Sequence, residues 1–369
     1  MKESKLKSPG VQALTASLIC IIAGLLVAFV VLLFINPSGA FGAIWAILKN
    51  FFNYSSSNLR LRYFGNTLVK SVPLIMCALA VLFSYKVGLF NIGTSGQYCA
   101  GLCAALYAAL KWHWGWLPCI IFAMLAGAAL AAIVGVLKAY RNVNEVISGI
   151  MLNWICLYTT NTILSNVKDS ASPYTLKIKD YAPQAVLPSL GLGRLFNNNQ
   201  YVTIALPLAI IVAVAVYIIM DKTRFGYELK ATGFNKNAAK YCGMAENKNI
   251  IMSLVISGMI AGMGAALFYL TGYAQYEVTA TSVPAMGFNG IAATFLGGLN
   301  PIGTIFSSFF IQHITDGGSK VDLSKFCSQT SDLISALIIY FCGFVLFIKI
   351  AMNKILAKRE AKKIEGGNK

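Results

Sequence analysis

The stretch Gly88–Gln97 reads GLFNIGTSGQ and lies between two long apolar runs. Asn91, Thr94, Ser95 and Gln97 supply hydrogen-bond donors and acceptors, but none titrates near neutrality and none is a nucleophile beside a base. The chemistry open to such a set is recognition, with a polar, uncharged solute held by hydrogen bonds. Gly88, Gly93 and Gly96 permit a broken or re-entrant backbone. At membrane depth that irregularity is tolerated only where it lines protein or a watery cavity. One reading is therefore a pathway wall for a polar solute. The other is a polar loop at the membrane surface followed by a helix starting near Gln97, and Lys86 just upstream suits a nearby surface.

The remaining reactive side chains do not assemble. His113 and His313 are the only histidines and lie far apart, so no metal site is argued. The nine cysteines are scattered without a CxxC, mostly inside apolar runs (Cys20, Cys77, Cys99, Cys103, Cys119, Cys156, Cys342), which favours helix packing over disulfides. No GxxxxGK[ST] occurs, so the chain binds no ATP through a P-loop of its own. No acidic or basic residue falls securely at the middle of an apolar segment, where ion-coupled carriers place such groups. Energy for transport must then come from elsewhere, most simply from a separate ATPase. A secondary carrier working alone is the competing class. A membrane-embedded enzyme would want clustered His, Asp or Cys at a span end, and none is present.

These residues sit in a chain of 369 residues that is 57% hydrophobic and only 12% charged, against roughly 25% for a soluble domain. Ten apolar segments recur, at about 11–35, 66–84, 90–110, 117–137, 145–165, 201–220, 249–272, 285–299, 303–314 and 331–352. The fold class expected is all-α: one polytopic transmembrane domain over 1–369. Val11–Ile35 is too long for a signal-peptide core and reads as a retained span. The eighth and ninth segments are short and interrupted by Gly297-Gly298 and Asn300-Pro301, which suggests half-spans.

Net charge is +17, concentrated at the ends and in one loop without an aromatic-interleaved stripe, so a nucleic-acid partner is excluded and the charge is read as setting topology. Lys2, Lys5 and Lys7 lie at the N-terminus. The basic tail 349–369 carries Lys349, Lys354, Lys358, Arg359, Lys362, Lys363 and Lys369. The loop 221–248 holds Lys222, Arg224, Lys230, Lys236, Lys240 and Lys248. All three are expected in the cytoplasm, which an even number of crossings satisfies, while the loop at about 166–200 suits the outside. Arg60 and Arg62 fall outside in this scheme, against the trend.

NEVISGIMLNWI (Asn144–Ile155) aligns without gaps to SDLISALIIYFC (Ser331–Cys342), pairing Glu145 with Asp332 and Ser148 with Ser335. LFNIG precedes the first and GFNGI the second, so the halves read as an inverted repeat, with solute handled at the repeat interface. The second element, Pro284–Gly303, is dense in small residues that let helices approach closely. Packing explains those, but not Asn289 and Asn300, which need partners. In the basic loop, Asn235 is a plausible N-cap, Lys236–Cys242 a short helix and Gly243 its stop, with Ala238 and Ala239 forming a small-residue face.

In order along the chain, GLFNIGTSGQ, NEVISGIMLNW, FGYELKATGFNKNAAKYCGM and GFNGIAATFLGG with NPIG resemble elements of the inner-membrane permeases of ABC transporters. The resemblance is to the branched-chain amino acid/ribose superfamily, specifically its nucleoside and simple-sugar branch. It implies a permease subunit of an importer for nucleosides, with simple sugars or a vitamin such as a flavin as alternatives. A second permease subunit, two copies of a cytoplasmic ATPase that bind the ATP, and an extracellular substrate-binding lipoprotein are the implied partners. The chain would hold no cofactor and sit in the cell membrane. Gly226–Gly243 becomes the coupling segment, through Glu228, Ala231, Gly233, Asn235, Ala238, Ala239, Tyr241 and Gly243. Asn91, Gly93, Gly96 and Gln97 carry over to the element near the translocation pathway. Thr94, Ser95, Asn153, Phe288 and Asn289 complete the expected pathway set. Relatives commonly have Ala-Glu where this chain has Thr94-Ser95, so a contact made by that carboxylate is missing here.

Overall fold

A computed structural model describes residues 9–322 and 324–366. The terminal Lys2, Lys5, Lys7 and Lys369 lie outside them, as do the side chains of Asp332, Ser335, Cys342, Lys358, Arg359, Lys362 and Lys363. The described chain is helical without a strand. Its helices are α1 (Pro9–Ile35), α2 (Pro37–Lys49), α3 (Ser57–Tyr85), α4 (Thr94–Leu110), α5 (Trp116–Arg141), α6 (Glu145–Leu164), a single turn α7 (Ile178–Tyr181), α8 (Ala205–Lys222), α9 (Arg224–Phe234), α10 (Lys236–Tyr241), α11 (Glu246–Tyr269), α12 (Met286–Leu296), α13 (Pro301–Gly318), α14 (Ser328–Cys342) and α15 (Val345–Gly366). Among the described residues, six helices are long and apolar enough to cross a membrane, in α1, α3, α5, α6, α8 and α11.

Several expected boundaries move. α3 begins nine residues before the expected start at 66, because Arg60, Arg62 and Lys70 ride on the same helix as the apolar run. Lys70 lies 5.7 Å from the Tyr273 ring. The expected segment 331–352 is two helices, α14 and α15, with Gly343 and Phe344 between them. α2 was not expected. It starts where Asn36 caps the N–H of Gly39 (3.3 Å) with Pro37 at the first helical position.

The chain folds as two compact units, Tyr54–Ile291 and the described parts of Met1–Asn53 with Ala292–Lys369. In the larger unit, α5 and α11 meet through small residues. Gly258 and Gly262 face Gly127 and Ala123 so closely that a Cβ on any of the three glycines would enter backbone, and Gly101 of α4 meets Gly262 the same way. That is the small-residue packing by which helices associate in lipid, where hydrophobic burial offers no drive. α5 ends at Asn142, which adopts the left-handed region (φ 51°), and Asn144 then caps α6 by accepting from Val146 N (2.9 Å) and Ile147 N (3.4 Å). Lys138 and Glu145 close that corner at 2.8 Å. The segment 165–204 is pinned to the stretch after α11: Thr175 N donates to Tyr276 O (2.9 Å) and Leu187 N to Leu270 O (3.0 Å).

In the smaller unit, Gly24 of α1 packs on the Ile338 backbone of α14, and Gly317 of α13 on that of Ile47. α12 has 11 residues, about 16 Å at 1.5 Å per residue, roughly half the 30 Å hydrocarbon thickness. It turns at Gly298 (φ 67°) and Leu299 (φ 57°) into α13, which Asn300 caps through the N–H groups of Ile302 and Gly303 with Pro301 at the first helical position. Asn300, which needed a partner, has it there. The length of α12 is that of the half-span expected for the eighth segment.

Candidate functional site

The polar stretch between α3 and α4 is neither helix nor surface loop. α3 ends with Lys86 N donating to Leu82 O, and Gly88 enters the left-handed region (φ 78°). The chain then runs irregularly to Gly93 before α4 begins at Thr94. Asn91, Thr94, Ser95 and Gln97 are all buried, 3% exposed or less. A surface loop is thereby excluded as the account of this end of the element.

What makes that burial affordable is mutual hydrogen bonding. Asn91 Nδ2 donates to Gln97 Oε1 (2.9 Å) and to Ser257 Oγ (2.8 Å), and Gln97 Nε2 donates back to Asn91 Oδ1 (3.2 Å). Ser257 in turn donates to Ala80 O (2.7 Å), tying α11 to α3. Gly96 N donates to Asn153 Oδ1 (2.8 Å) while Asn153 Nδ2 donates to Ile92 O (3.1 Å), so one amide fastens α6 to both sides of the α4 N-terminus. Thr94 Oγ1 donates to Asn91 O (2.9 Å). A buried network fully satisfied in this way is rigid, and deleting any member leaves another unpaired.

The glycines of the sequence motifs explain how these side chains come within reach. A Cβ on Gly149 would lie 2.9 Å from Gly93 N, and one on Gly96 would lie 2.7 Å from Asn153 Oδ1 and 2.9 Å from its Cα. α4 and α6 therefore touch backbone to backbone. Gly287, at the start of α12, abuts the first turn of α4, its added Cβ falling 2.5 Å from Ser95 N and 2.7 Å from Ser95 Cα. Gly290 abuts Cys77 and Ala78. Ser95 Oγ is buried and finds no hydrogen-bond partner among the described residues. Phe288 is exposed and Asn289 half-buried beside this contact.

The basic loop reaches the same place from the surface. Thr223 caps α9 by accepting from Gly226 N (3.1 Å), and Asn235 caps α10 by accepting from Ala238 N (3.0 Å). α10 ends at Tyr241, and Gly243 (φ 78°) is its stop, with Met244 N donating to Ala239 O (3.0 Å). Ala239 is buried and Ala238 exposed, so the two alanines do not form the single exposed small-residue face expected of them. Phe234 and Tyr241 are 90% and 93% exposed, an unusual state for aromatics. Glu228 pairs with Arg224 (3.1 Å), and Ala231 O accepts from Asn235 N (3.1 Å) to end α9. Thr232 is buried and accepts from Asn249 Nδ2 of α11 (2.9 Å). Gly233 lies on Val87: a Cβ there would be 2.5 Å from Val87 C and 2.6 Å from Val87 O, and one on Gly88 would be 3.0 Å from Gly233 O.

Three sequence motifs and the GFNGI part of the fourth thus converge within Tyr54–Ile291. GLFNIGTSGQ touches the ISGIMLN helix, the end of α9 and the first turns of α12. Sequence reasoning missed Ser257, Thr232 and Asn249. The signal available for Ser257 was a hydroxyl beside Gly258, one turn after Ser253, in an otherwise apolar run.

A helical chain with this many apolar spans, a buried polar cluster at a helix break and an exposed loop packed on Val87–Gly88, just before that cluster, is a multi-pass membrane protein. The chain belongs to a known family, described as the branched-chain amino acid transport system / permease component, which matches residues 63–343. It is 34% identical to the guanosine ABC transporter permease protein NupP of Bacillus subtilis over 301 residues, covering 80% of this chain and 85% of that one. It is 31% identical to the nucleoside ABC transporter permease protein NupB of Lactococcus lactis over 364 residues, 95% of this chain and 96% of that one. The guanosine ABC transporter permease protein NupQ of B. subtilis is 28% identical over 299 residues, 76% of this chain and 90% of that one. No solved structure matches the chain.

Proposed function

We propose that the chain is a permease subunit of an ATP-driven importer for nucleosides, and that α9, α10 and the Val87–Gln97 element form its transmission line. The observation that carries this reading is the backbone contact between Gly233 and Val87–Gly88. A force applied to the exposed loop reaches the polar cluster through rigid neighbours, without a flexible side chain between them. The membrane protein itself holds no ATP; a cytoplasmic ATPase pair docks on Phe234, Tyr241 and the α10 surface, with Lys236 and Lys240 alongside. Nucleotide-driven closure of that pair displaces the α9–α10 corner. Val87 and Gly88 move with it, and the Asn91–Gln97–Ser257 cluster opens or closes the route of a polar solute, the alternating-access scheme common to such folds.

The relatives support the nucleoside. NupP and NupQ of one organism both resemble this chain, which supports pairing with a second, related permease subunit. A binding lipoprotein outside, and both termini with the loop 221–248 inside, complete the arrangement. No bond of the solute is broken. The test is uptake of labelled guanosine, other nucleosides and ribose by a strain deleted for this chain, with and without its restoration. Restored nucleoside uptake that ribose does not compete supports the reading. Restored sugar uptake indifferent to nucleosides refutes the substrate, and ion-gradient uptake by the purified single chain refutes the subunit role.

A further inference from the structure

α4, α5 and α6 leave an open cavity of about 640 Å³ on the larger unit, distinct from the polar cluster. Along its length α6 is fastened to α4, while the Lys138–Glu145 pair joins it to α5 only at the corner between them. Besides Asn153, Cys156 Sγ donates to Gly96 O (3.2 Å) and Cys99 Sγ to Thr160 Oγ1 (3.4 Å), while small side chains such as Ala104 and Ala129 leave the floor and the opposite wall bare. At its rim Ile133 is 49% exposed and Ile155 57%, on helices apolar enough to cross a membrane, so it opens sideways at membrane depth.

The lining decides what can enter. Along α6 its polar side chains are engaged: Thr159 donates to its own helix at Ile155 O (2.8 Å), and Thr160 and Cys156 are bonded across to α4. The Tyr107 hydroxyl and the Trp112 indole lie at one end, so the length of the cavity offers too few polar groups for ordered water, which needs two to four partners. The rest of the lining, Cys103 aside, is alanine, leucine and isoleucine side chains with aromatic rings, which suits an aliphatic occupant. One end of the cavity, by contrast, is marked by Trp112, 47% exposed, with its ring 5.0 Å from that of Trp114 and 5.3 Å from that of Tyr107. Indole and phenol rings collect at the level of lipid headgroups. Lys111, exposed and adjacent to Trp112 in the chain, puts a positive charge at that level.

We propose that this cavity holds one acyl chain of a membrane phospholipid, with the lipid phosphate at the level of Lys111. An aliphatic chain asks for no hydrogen bond, is narrow enough, and surrounds the opening in any bilayer.

The test uses the full chain, with whatever subunits co-purify, in vesicles of phosphatidylethanolamine and phosphatidylglycerol carrying a trace of phosphatidylglycerol with a diazirine in one acyl chain. Irradiation is expected to give adducts that saturate near one per chain and map to Ala104, Ile133 and Ile155. Unsaturable labelling spread equally over exposed residues of other spans, such as Leu26 and Ile211, would overturn the site. Filling the cavity with Ala104→Phe and Ala129→Phe should lower the cavity adducts at least fivefold at unchanged labelling of Leu26; unchanged cavity adducts in a folded variant refute it. Should that variant not fold, the wild-type map decides alone. Lys111→Glu should weaken competition by unlabelled phosphatidylglycerol severalfold, and an unaltered competition curve refutes the headgroup placement. Efficient cross-linking of Ile155→Cys to another membrane subunit would assign the cavity to protein and end the proposal.

Discussion

Replacing Gly233 with alanine adds one methyl group at the joint between the surface loop and the buried element. The methyl carbon would stand 2.5 Å from Val87 C, 2.6 Å from Val87 O and 2.9 Å from Val87 Cα, all backbone atoms. Ordinary contact is near 3.5–4.0 Å, so about 1 Å of separation must be found. No rotamer can provide it, and α9 is held from the other side by Thr232 on Asn249. Overpacking of this kind costs about 1–3 kcal/mol. If the contact is the transmission line, that cost falls unequally on the two transport states and appears as lost coupling of the same size, about 5- to 150-fold.

The assay is solute uptake and ATP hydrolysis measured together in proteoliposomes containing the assembled transporter, with thermal unfolding recorded on the same sample. Gly233→Ala should lower solute moved per ATP by at least fivefold while the unfolding midpoint falls by only a few degrees. Gly243→Ala is the control. No atom lies within 4 Å of a Cβ there, so it strains only the left-handed turn at the end of α10 and leaves the Val87 joint untouched. Normal stoichiometry in Gly233→Ala would refute the argument outright. So would equal uncoupling by both variants, because the effect would then belong to the loop as a whole.

Asn91→Leu removes three hydrogen bonds and strands the buried Gln97 amide; a loss of about 2–4 kcal/mol in stability, read by chemical or thermal unfolding in detergent, is expected. Tyr241→Ser with Lys236→Glu should abolish co-purification of the ATPase at unchanged unfolding temperature, since both side chains are exposed. Gly262→Leu should prevent assembly of α5 on α11 and yield aggregated protein by size-exclusion chromatography, because its neighbour is the Ala123 backbone. Burial lowers the pKa of Lys179, partly opposed by Asp180, with the ammonium 3.9 Å from the Tyr201 ring centroid. The unfolded lysine then binds more protons than the folded one between the lowered value and the ordinary 10.5. Stability of the 165–204 segment should accordingly rise with pH across that window, a rise that limited proteolysis should detect and that Lys179→Met should lack.

Much of this was legible because lipid enforces simple rules. Apolar run length located the long helices, Gly297-Gly298 with Asn300-Pro301 marked the break between α12 and α13, and Asn235 with Gly243 bracketed α10 to within a residue. Asn91, Gln97 and Asn153 were legible together because they lie in the first two motifs that carry the family resemblance. What escaped was which partners. Ser257 lies 166 residues from Asn91, and nothing local connects them. The contact of Gly233 with Val87 escaped for the same reason: a glycine in a polar loop looks like a turn until another backbone is seen against it. α2 escaped because thirteen residues are too few to register as a span, and the division of the last apolar segment because Gly343 alone carries little weight beside its apolar neighbours.

The closed state of the polar cluster bears on how a solute could pass at all. A pathway wall with unpaired amides would be costly whenever the path is shut, since each orphaned group in a low-dielectric interior costs about 1–3 kcal/mol. Here the Asn91 and Gln97 amides pair with each other, and Asn153 pairs with the backbone on either side, so the shut form carries little penalty. On the proposed pathway role, an open form would expose the same groups to water or to the hydroxyls and ring nitrogens of a nucleoside, which would take over the bonds, and a modest push would then choose between two nearly satisfied states. Ser95 breaks the pattern: its hydroxyl is buried against Gly287 with no partner among the described residues, so on the proposed pathway role it would gain a bond on opening.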